Sequence, residues 1–278
     1  MKIAITGATG LFGHALVQVF GERHTVFPLG RAEADITDAA GVQSCLRAIL
    51  PDVVIHSAAI RDLDIADADP AEAFRVNVHG TRNVVEAAQS VGAAVAYIST
   101  DAVFDGEREA PYVETDVPIP PTVYGRTKLR GERLAAQLPR YWIFRVSVLF
   151  GPGKKNMIDK VLAAVSQGKE YIAPSDQIGN ATYTLDAART IREVIEAGRS
   201  GTFHVVNQGG VSRLELARRA AQIAGLDAAY VVGKPSAEMG RRVPRPKQSV
   251  MLMCALEQAG FELPRPWTEA LEAYIRSL

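Results

Sequence analysis

The chain opens on an apolar, β-branched stretch, Lys2–Thr6, that runs into Gly7-Ala8-Thr9-Gly10-Leu11-Phe12-Gly13 and then a short amphipathic segment, His14–Phe20. A strand, a glycine turn and a helix in that order leave few folds open. Small residues let the backbone turn sharply and approach a pyrophosphate, and the helix N-terminus beyond offers unpaired N–H groups and a partial positive charge. The last glycine permits close helix–strand packing. The loop predicts a dinucleotide site in a parallel α/β sheet, with Gly7, Thr9, Gly10 and Gly13 as contacts.

The following chain keeps that rhythm. Strands are expected at Thr25–Leu29, Asp52–His56, Ala94–Ser99 and Trp142–Ser147, with helices at Ala39–Ile49, Ala71–Val91 and Tyr124–Gln137. Such alternation gives a doubly wound parallel sheet with helices on both faces. Solid apolar runs such as Val53-Val54-Ile55 suit strands buried on both sides. The rhythm changes near Gly151-Pro152-Gly153. Beyond it the reading is a helix (Asn156–Ser166), a polar loop (Pro174–Thr182), a helix (Leu185–Ala197), a strand (Thr202–Val206), a helix (Arg213–Ala224) and an irregular basic stretch (Lys234–Lys247). The expected organisation is a Rossmann-type domain over 1–150, completed by about 184–206. A smaller C-terminal substrate-binding lobe is expected from 151–183 and 207–278.

Length and charge fit this picture. The 278 residues suffice for one domain with an appended lobe. Lys+Arg and Asp+Glu are each 31, so the basic excess of a nucleic-acid-binding protein is missing. No run approaches the roughly 18 apolar residues of a membrane span. The N-terminal apolar stretch is broken too soon by Gly7 to act as a signal peptide. Cys45 and Cys254 stand far apart without metal-ligand spacing, which suits free thiols in a reducing compartment. The expected setting is cytoplasmic, with no nucleic-acid or membrane partner.

The second strand indicates which dinucleotide. It ends Leu29-Gly30-Arg31, without the acid that holds ribose hydroxyls in NAD sites. Arg31 is expected to face a 2′-phosphate, which a guanidinium grips as a fork. The cofactor reading is therefore NADP, with NADPH preferred over NADH.

Tyr124-Gly125-Arg126-Thr127-Lys128 is a Tyr-x-x-x-Lys pair, one turn apart on a shared helix face. A phenol titrates near 10 and is a poor acid–base group at neutral pH unless perturbed, and a nearby ammonium is expected to lower that value. The same lysine can hold a cofactor ribose. Ser99 and Thr100 end a strand where ligands bind in such sheets, and strand alternation puts them on opposite faces. Thr100 is the candidate that polarises a substrate carbonyl, leaving Ser99 a structural role. His56 and His79 have no partner at ligand spacing and are read as packed or loop histidines.

Several segments make the reading specific. The G-x-x-G-x-x-G spacing resembles the extended short-chain dehydrogenase/reductases. Ser99–Gly106, Pro118–Glu132, Phe144–Ser147, Asp35-Ile36-Thr37-Asp38 and Arg245-Pro246-Lys247-x-Ser249 resemble the dTDP-4-dehydrorhamnose reductase family over nearly the whole chain. The resemblance implies reduction of the 4-keto group of a dTDP-linked deoxysugar by NADPH or NADH, in a Mg²⁺-assisted homodimer. It implies Thr100, Tyr124 and Lys128 as the catalytic set. It implies Gly10, Leu11, Phe12, Asp35, Ile36, Ser57, Ala58 and Ala59 as cofactor contacts, beside Tyr124 and Lys128. No metal ligands are carried over. Two departures bear on the sugar: Ala102 and Val148 stand where the family has aromatics.

A nucleotide diphosphate needs cationic donors. Lys154-Lys155-Asn156 and Arg241–Lys247 are the two candidate groups, and Thr100, Asp101, Asn156, Arg245 and Lys247 are the expected substrate residues. Two rival functions are a nucleotide-sugar epimerase and a non-catalytic NADP-binding regulator. The regulatory subunit of methionine adenosyltransferase, which is similar to the same family, is the precedent for the second. Asp101-Ala102 replaces the Asp-Glu pair usual in dehydratases of the superfamily, which argues against dehydration.

Overall fold

A computed structural model describes residues 1–243 and 245–278. In β1 (Lys2–Thr6), Ile3 and Ile5 face one layer and Ala4 the other, the two-residue period of a strand buried on both faces. There follow α1 (Leu11–Gly21), β2 (Thr25–Leu29), α2 (Ala39–Ile49) and β3 (Val53–His56), then α3 (Leu63–Ala68), α4 (Pro70–Phe74) and α5 (Thr81–Ser90). Next come β4 (Ala94–Thr100), α6 (Val123–Ala135) and β5 (Tyr141–Val146). The strands and one later strand form a six-stranded parallel Rossmann-type sheet. Its order is β2-β1-β3-β4-β5 and then the late strand, so the winding reverses between β1 and β3. Open α/β sheets bind ligands beyond the carboxyl ends of the strands at such a point.

The helices divide between the two faces. Phe12, Leu16 and Val19 of α1 pack on the Ile3/Ile5 side, and Val42, Leu46, Val84, Ala88 and Ala135 pack on the Ala4 side. Where one continuous helix is expected over Ala71–Val91, Arg75–Gly80 forms a π-helical turn between α4 and α5. Just past it the hydroxyl of Thr81, the first residue of α5, donates back to the Asn77 carbonyl at 2.7 Å.

The chain continues through β6 (Val148–Phe150), α7 (Met157–Ser166), β7 (Tyr171–Pro174), β8 (Ile178–Tyr183), α8 (Thr184–Glu196) and β9 (Gly201–His204). It ends with β10 (Gly210–Ser212), α9 (Arg213–Ile223), β11 (Val231–Lys234), β12 (Gln248–Ser249), α10 (Cys254–Gln258) and α11 (Trp267–Arg276). α8 and β9 return to the large sheet, where β9 pairs with β5. β8 centres a second sheet, antiparallel to β10 and parallel to β12 and β6, and β7 pairs with β11. Ile158, Leu216, Ala220, Leu271 and Tyr274 of α7, α9 and α11 close a separate core against Phe150 and Tyr183.

The polar loop expected over Pro174–Thr182 is instead the end of β7, a short turn and most of β8. Gly179-Asn180-Ala181-Thr182 lacks an apolar signal because remote segments satisfy it. The Asn180 amide donates to the carbonyls of Asn207 and Gly209, and its oxygen accepts from Met251 N at 2.8 Å. Among the described residues no helix is long and apolar enough to cross a membrane.

Candidate active site

A cleft of about 820 Å³ runs along the carboxyl ends of β1 to β5 and beneath the second group of strands. Its floor begins at the glycine loop. Gly7 adopts φ +67°, and a Cβ there would lie 2.7 Å from Ala58 N, so only glycine lets the loop pack against Ser57-Ala58-Ala59. Gly10 stands at the N-cap of α1 and no side chain caps the helix. Leu11 and Phe12 line the cleft and are buried, and as the first residues of α1 they carry N–H groups without an intrahelical partner. Gly13, expected among the cofactor contacts, does not line the cleft. A Cβ on it would meet Gly7 O at 2.1 Å, which makes it the glycine that seats α1 against the loop. The uncapped helix start and the glycine-lined cradle fit a dinucleotide pyrophosphate.

The lip of the cleft carries opposed charges. Arg31 is exposed, and its Nε donates to Asp35 Oδ2 at 3.1 Å. Asp35 also accepts from Thr37 N and Thr37 Oγ1 at 2.9 and 2.8 Å, and these bonds, with Arg31 behind them, hold its carboxyl at about 2. Ile36 is buried beside it. The end of β2 is not free of acids in space, although it is in sequence. Glu33 turns back and its Oε2 accepts from Gly30 N at 2.9 Å.

The opposite wall holds the acid–base candidates. Thr122 caps α6 by accepting from Gly125 N at 3.1 Å, which places Tyr124 in the first turn and Lys128 in the second. Both line the cleft together with Thr100 and Asp101 at the end of β4. Ser99 gives its hydroxyl to Glu132 Oε1 at 2.5 Å, whereas the Thr100 hydroxyl donates to Asp101 Oδ1 at 3.0 Å and accepts from Ala102 N. Burial pushes the Tyr124 phenol up to about 12, against the pull of a hydrogen bond with Thr100. The expected depression by Lys128 is thus reversed: the enclosed phenol resists ionisation. Burial also lowers the Lys128 ammonium to about 7, with Glu132 opposing. His56 is a packed histidine. Its Nδ1 lies 2.7 Å from Thr6 Oγ1, its Nε2 lies 2.9 Å from Thr81 Oγ1, and burial holds it neutral at about 3.

Asn77 escaped the sequence reading. From the π turn its amide oxygen accepts from Ile60 N at 2.8 Å, and its amide nitrogen donates to Ile60 O and Thr127 Oγ1. It clamps Ile60, in the segment that leaves β3, to α6.

The comparisons with known proteins bear on this geometry. The family described as RmlD substrate binding domain matches residues 1–278. The chain belongs to this family. A dTDP-4-dehydrorhamnose reductase of Streptomyces griseus is 35% identical over 275 residues, covering 96% of this chain and 90% of the relative. A dTDP-4-keto-6-deoxy-D-glucose reductase of Streptomyces niveus is 32% identical over 270 residues, covering 96% and 94%. The crystal structure of dTDP-4-dehydrorhamnose reductase from Bacillus anthracis in complex with NADP superposes with a TM-score of 0.96 at 33% identity, over 100% of this chain and 99% of that one. A UDP-glucose 4-epimerase of Thermus thermophilus, at 20% identity and a TM-score of 0.88, shares the fold.

Within this RmlD-family chain the part of the cleft lined by the C-terminal segments differs from the sequence reading. Ala102 and Val148 both line the cleft, with Arg213, Arg241, Arg245, Gln177 and Lys154. Asn156 does not. It is buried as the cap of α7, accepting from Ile158 N and donating to Gly151 O and Tyr274 Oη. Lys247 is exposed and lies outside the cleft wall, as does Lys155. Arg245 faces the cleft, but its guanidinium is forked onto Asp64 of α3 at 3.0 and 2.7 Å. Asp101 Oδ2 accepts from Ser147 and Ser249 at 2.6 and 2.9 Å.

Arg213, missed in the sequence, begins α9, and its Nη1 is buried without a hydrogen-bond partner among the described residues. A cation in the first turn of a helix opposes the helix dipole, and that was its legible signal. Among the described residues no three His, Cys, Asp or Glu side chains converge, so the Mg²⁺ implied by resemblance finds no such donor set here.

Proposed function

We propose that this chain catalyses NADP(H)-dependent reduction of the 4-keto group of a nucleotide-activated deoxysugar. The observation that carries the reading is the convergence of Thr100, Tyr124 and Lys128 on one wall of the cleft whose floor is the glycine loop. When bound, the dinucleotide supplies hydride from its nicotinamide ring. The glycine loop and the α1 N-terminus would hold its pyrophosphate, Asp35-Ile36 its adenine side and Lys128 a ribose. The Thr100 hydroxyl orients and polarises the sugar carbonyl. Tyr124, kept protonated by its enclosure, delivers the proton from Oη to the oxygen as charge develops there. Such general acid help is worth about 10²–10⁴-fold.

The division of labour we propose is residues 1–150 with about 184–206 for the dinucleotide, and 151–183 with 207–278 for the nucleotide sugar. Arg213 and Arg241 are the cations best disposed toward the substrate diphosphate, with Arg245 available once Asp64 is displaced. Ala102 and Val148 open the sugar end of the cleft and favour a bulkier or differently oriented 4-keto sugar. Arg31 favours NADPH over NADH, and Glu33 limits the margin. The setting that suits this substrate is the cytoplasm.

The test is a panel of dTDP- and UDP-linked 4-keto sugars assayed by loss of NADPH absorbance. Turnover of at least one, abolished by Tyr124→Phe, is expected. No consumption with any member, despite tight NADPH binding, favours the regulatory role, and interconversion of sugars without net NADPH loss favours an epimerase.

A further inference from the structure

Lys128 is held from below by an aromatic face. Its ammonium lies 4.0 Å from the centroid of the Tyr97 ring, and the lysine is 3% exposed. Tyr97 belongs to β4, the strand that ends in Ser99 and Thr100, and it is completely buried. The ring is fixed on both sides. The His56 ring stands 5.6 Å away, tilted by 48°. Above, a Cβ on Gly131 of α6 would come within 2.1 Å of Tyr97 Oη, so the absence of a side chain at Gly131 makes the seat for this phenol. An ammonium stripped of water gains from the negative face of an aromatic ring, and the gain grows as solvent is removed.

We propose that Tyr97 is a positioning residue for Lys128: its ring face replaces part of the lost water, favours the ammonium over the neutral amine and stations it on the Tyr124 side of the cleft. The role rests on the proposed reductase site but concerns one pair of side chains that exists without any ligand. The other groups around the ammonium do not supply this contact. On α6, Glu132 attracts it, but that carboxylate is forked onto Arg145 of β5 at 2.9 and 2.8 Å. From β3, His56 is neutral. Tyr124, on the same helix, is protonated, and Asp101 and Arg61 act on Tyr124 with opposite signs. Among the described residues the ring of Tyr97 is the aromatic face set against this ammonium.

Replacing position 97 by phenylalanine and then by mono-, di- and trifluorinated phenylalanines keeps the shape while draining the ring face of negative potential. The readout is the titration of Lys128 by NMR in ligand-free protein carrying ¹³C at the lysine ε-carbon, with Lys128→Arg to assign the signal. A contact through the ring face makes the apparent pKa fall with each fluorine, by about one unit across the series, a tenfold loss of ammonium at pH 8. NADPH affinity at pH 8, read by nicotinamide fluorescence, falls in the same order. A Lys128 titration indifferent to fluorination overturns the proposal, whatever the enzyme's substrate proves to be. Absent NADPH binding by the wild-type chain instead overturns the reductase reading and leaves the titration to decide this one. Tyr97→Leu is the extreme member of the series and is not required, so a variant that fails to fold does not blunt the test.

Discussion

Arg145 and Glu132 meet in a forked pair, Nε to Oε1 at 2.9 Å and Nη2 to Oε2 at 2.8 Å, and each side chain is 5% exposed. The pair ties β5 to α6 directly behind the candidate catalytic face. Ser99 adds a third bond to the same carboxylate, so three elements share one anion.

Removing one partner of a buried pair strands the other's charge, which costs about 3–5 kcal/mol. Glu132→Gln should therefore lower the unfolding free energy by that order in urea titrations. Ser99→Ala leaves the ion pair intact and should cost only about 1 kcal/mol. Equal stability of Glu132→Gln and the wild type would show that the pair is solvated in solution.

Lys128 illustrates a conflict between stability and chemistry. Its folded value of about 7 lies below the ordinary 10.5, so the buried ammonium opposes folding most fully below pH 7, and the penalty is relieved as pH rises from 7 toward 10.5. Replacing this ammonium by apolar bulk removes its desolvation penalty, on the order of several kcal/mol for a buried ion. Lys128→Met should thus raise Tm at pH 6, by less at pH 9, while removing NADPH turnover. In the wild type, kcat/KM should decline as pH climbs through about 7 and the free enzyme loses this ammonium. A pH-independent kcat/KM between 6 and 9 would contradict the assignment.

Cofactor choice should respond to two residues in opposite directions. Charge-assisted hydrogen bonds are worth roughly 1.5–3 kcal/mol, or about ten- to a hundredfold in affinity. Arg31→Ala should lower the NADPH/NADH affinity ratio by about that factor. Glu33→Gln removes the carboxylate that sits on Gly30 N and should raise the ratio. Titrations in which Glu33→Gln leaves both affinities unchanged would show that this carboxylate lies clear of the ribose.

At the other end of the cleft, Arg213→Met should raise KM for the nucleotide sugar by about tenfold or more, in line with loss of one charge-assisted contact, and leave NADPH affinity alone. Lys247→Ala should leave KM unchanged, because the side chain lies outside the cleft wall. A larger KM effect for Lys247→Ala than for Arg213→Met would restore the sequence-based reading of that segment.

The large sheet was legible because its signals are local. Gly7 to Gly13 sits between a strand and a helix, and Val53-Val54-Ile55 is apolar throughout. The β8 strand was not legible, since Asn180 takes its partners from Asn207, Gly209 and Met251, far along the chain. The same holds at the site. Tyr124 and Lys128 share one helix and could be paired by spacing. Glu33 reaches Gly30 only through a turn of its own, and Arg245 is diverted by Asp64, 181 residues away. Basic residues were legible as charges, but which of them face the cleft depends on packing that no local pattern encodes.

Hydride delivery to a sugar carbonyl with the proton supplied by Tyr124 leaves an isotopic mark, read by incubating NADPH deuterated at the transferring position of the nicotinamide with a dTDP-4-keto-6-deoxyhexose. One deuterium per product molecule is expected, bonded to C4 of the sugar, with one NADP formed for each and no such product from Tyr124→Phe. Product lacking deuterium at C4, or sugar recovered unchanged while the dinucleotide stays bound and reduced, would contradict it.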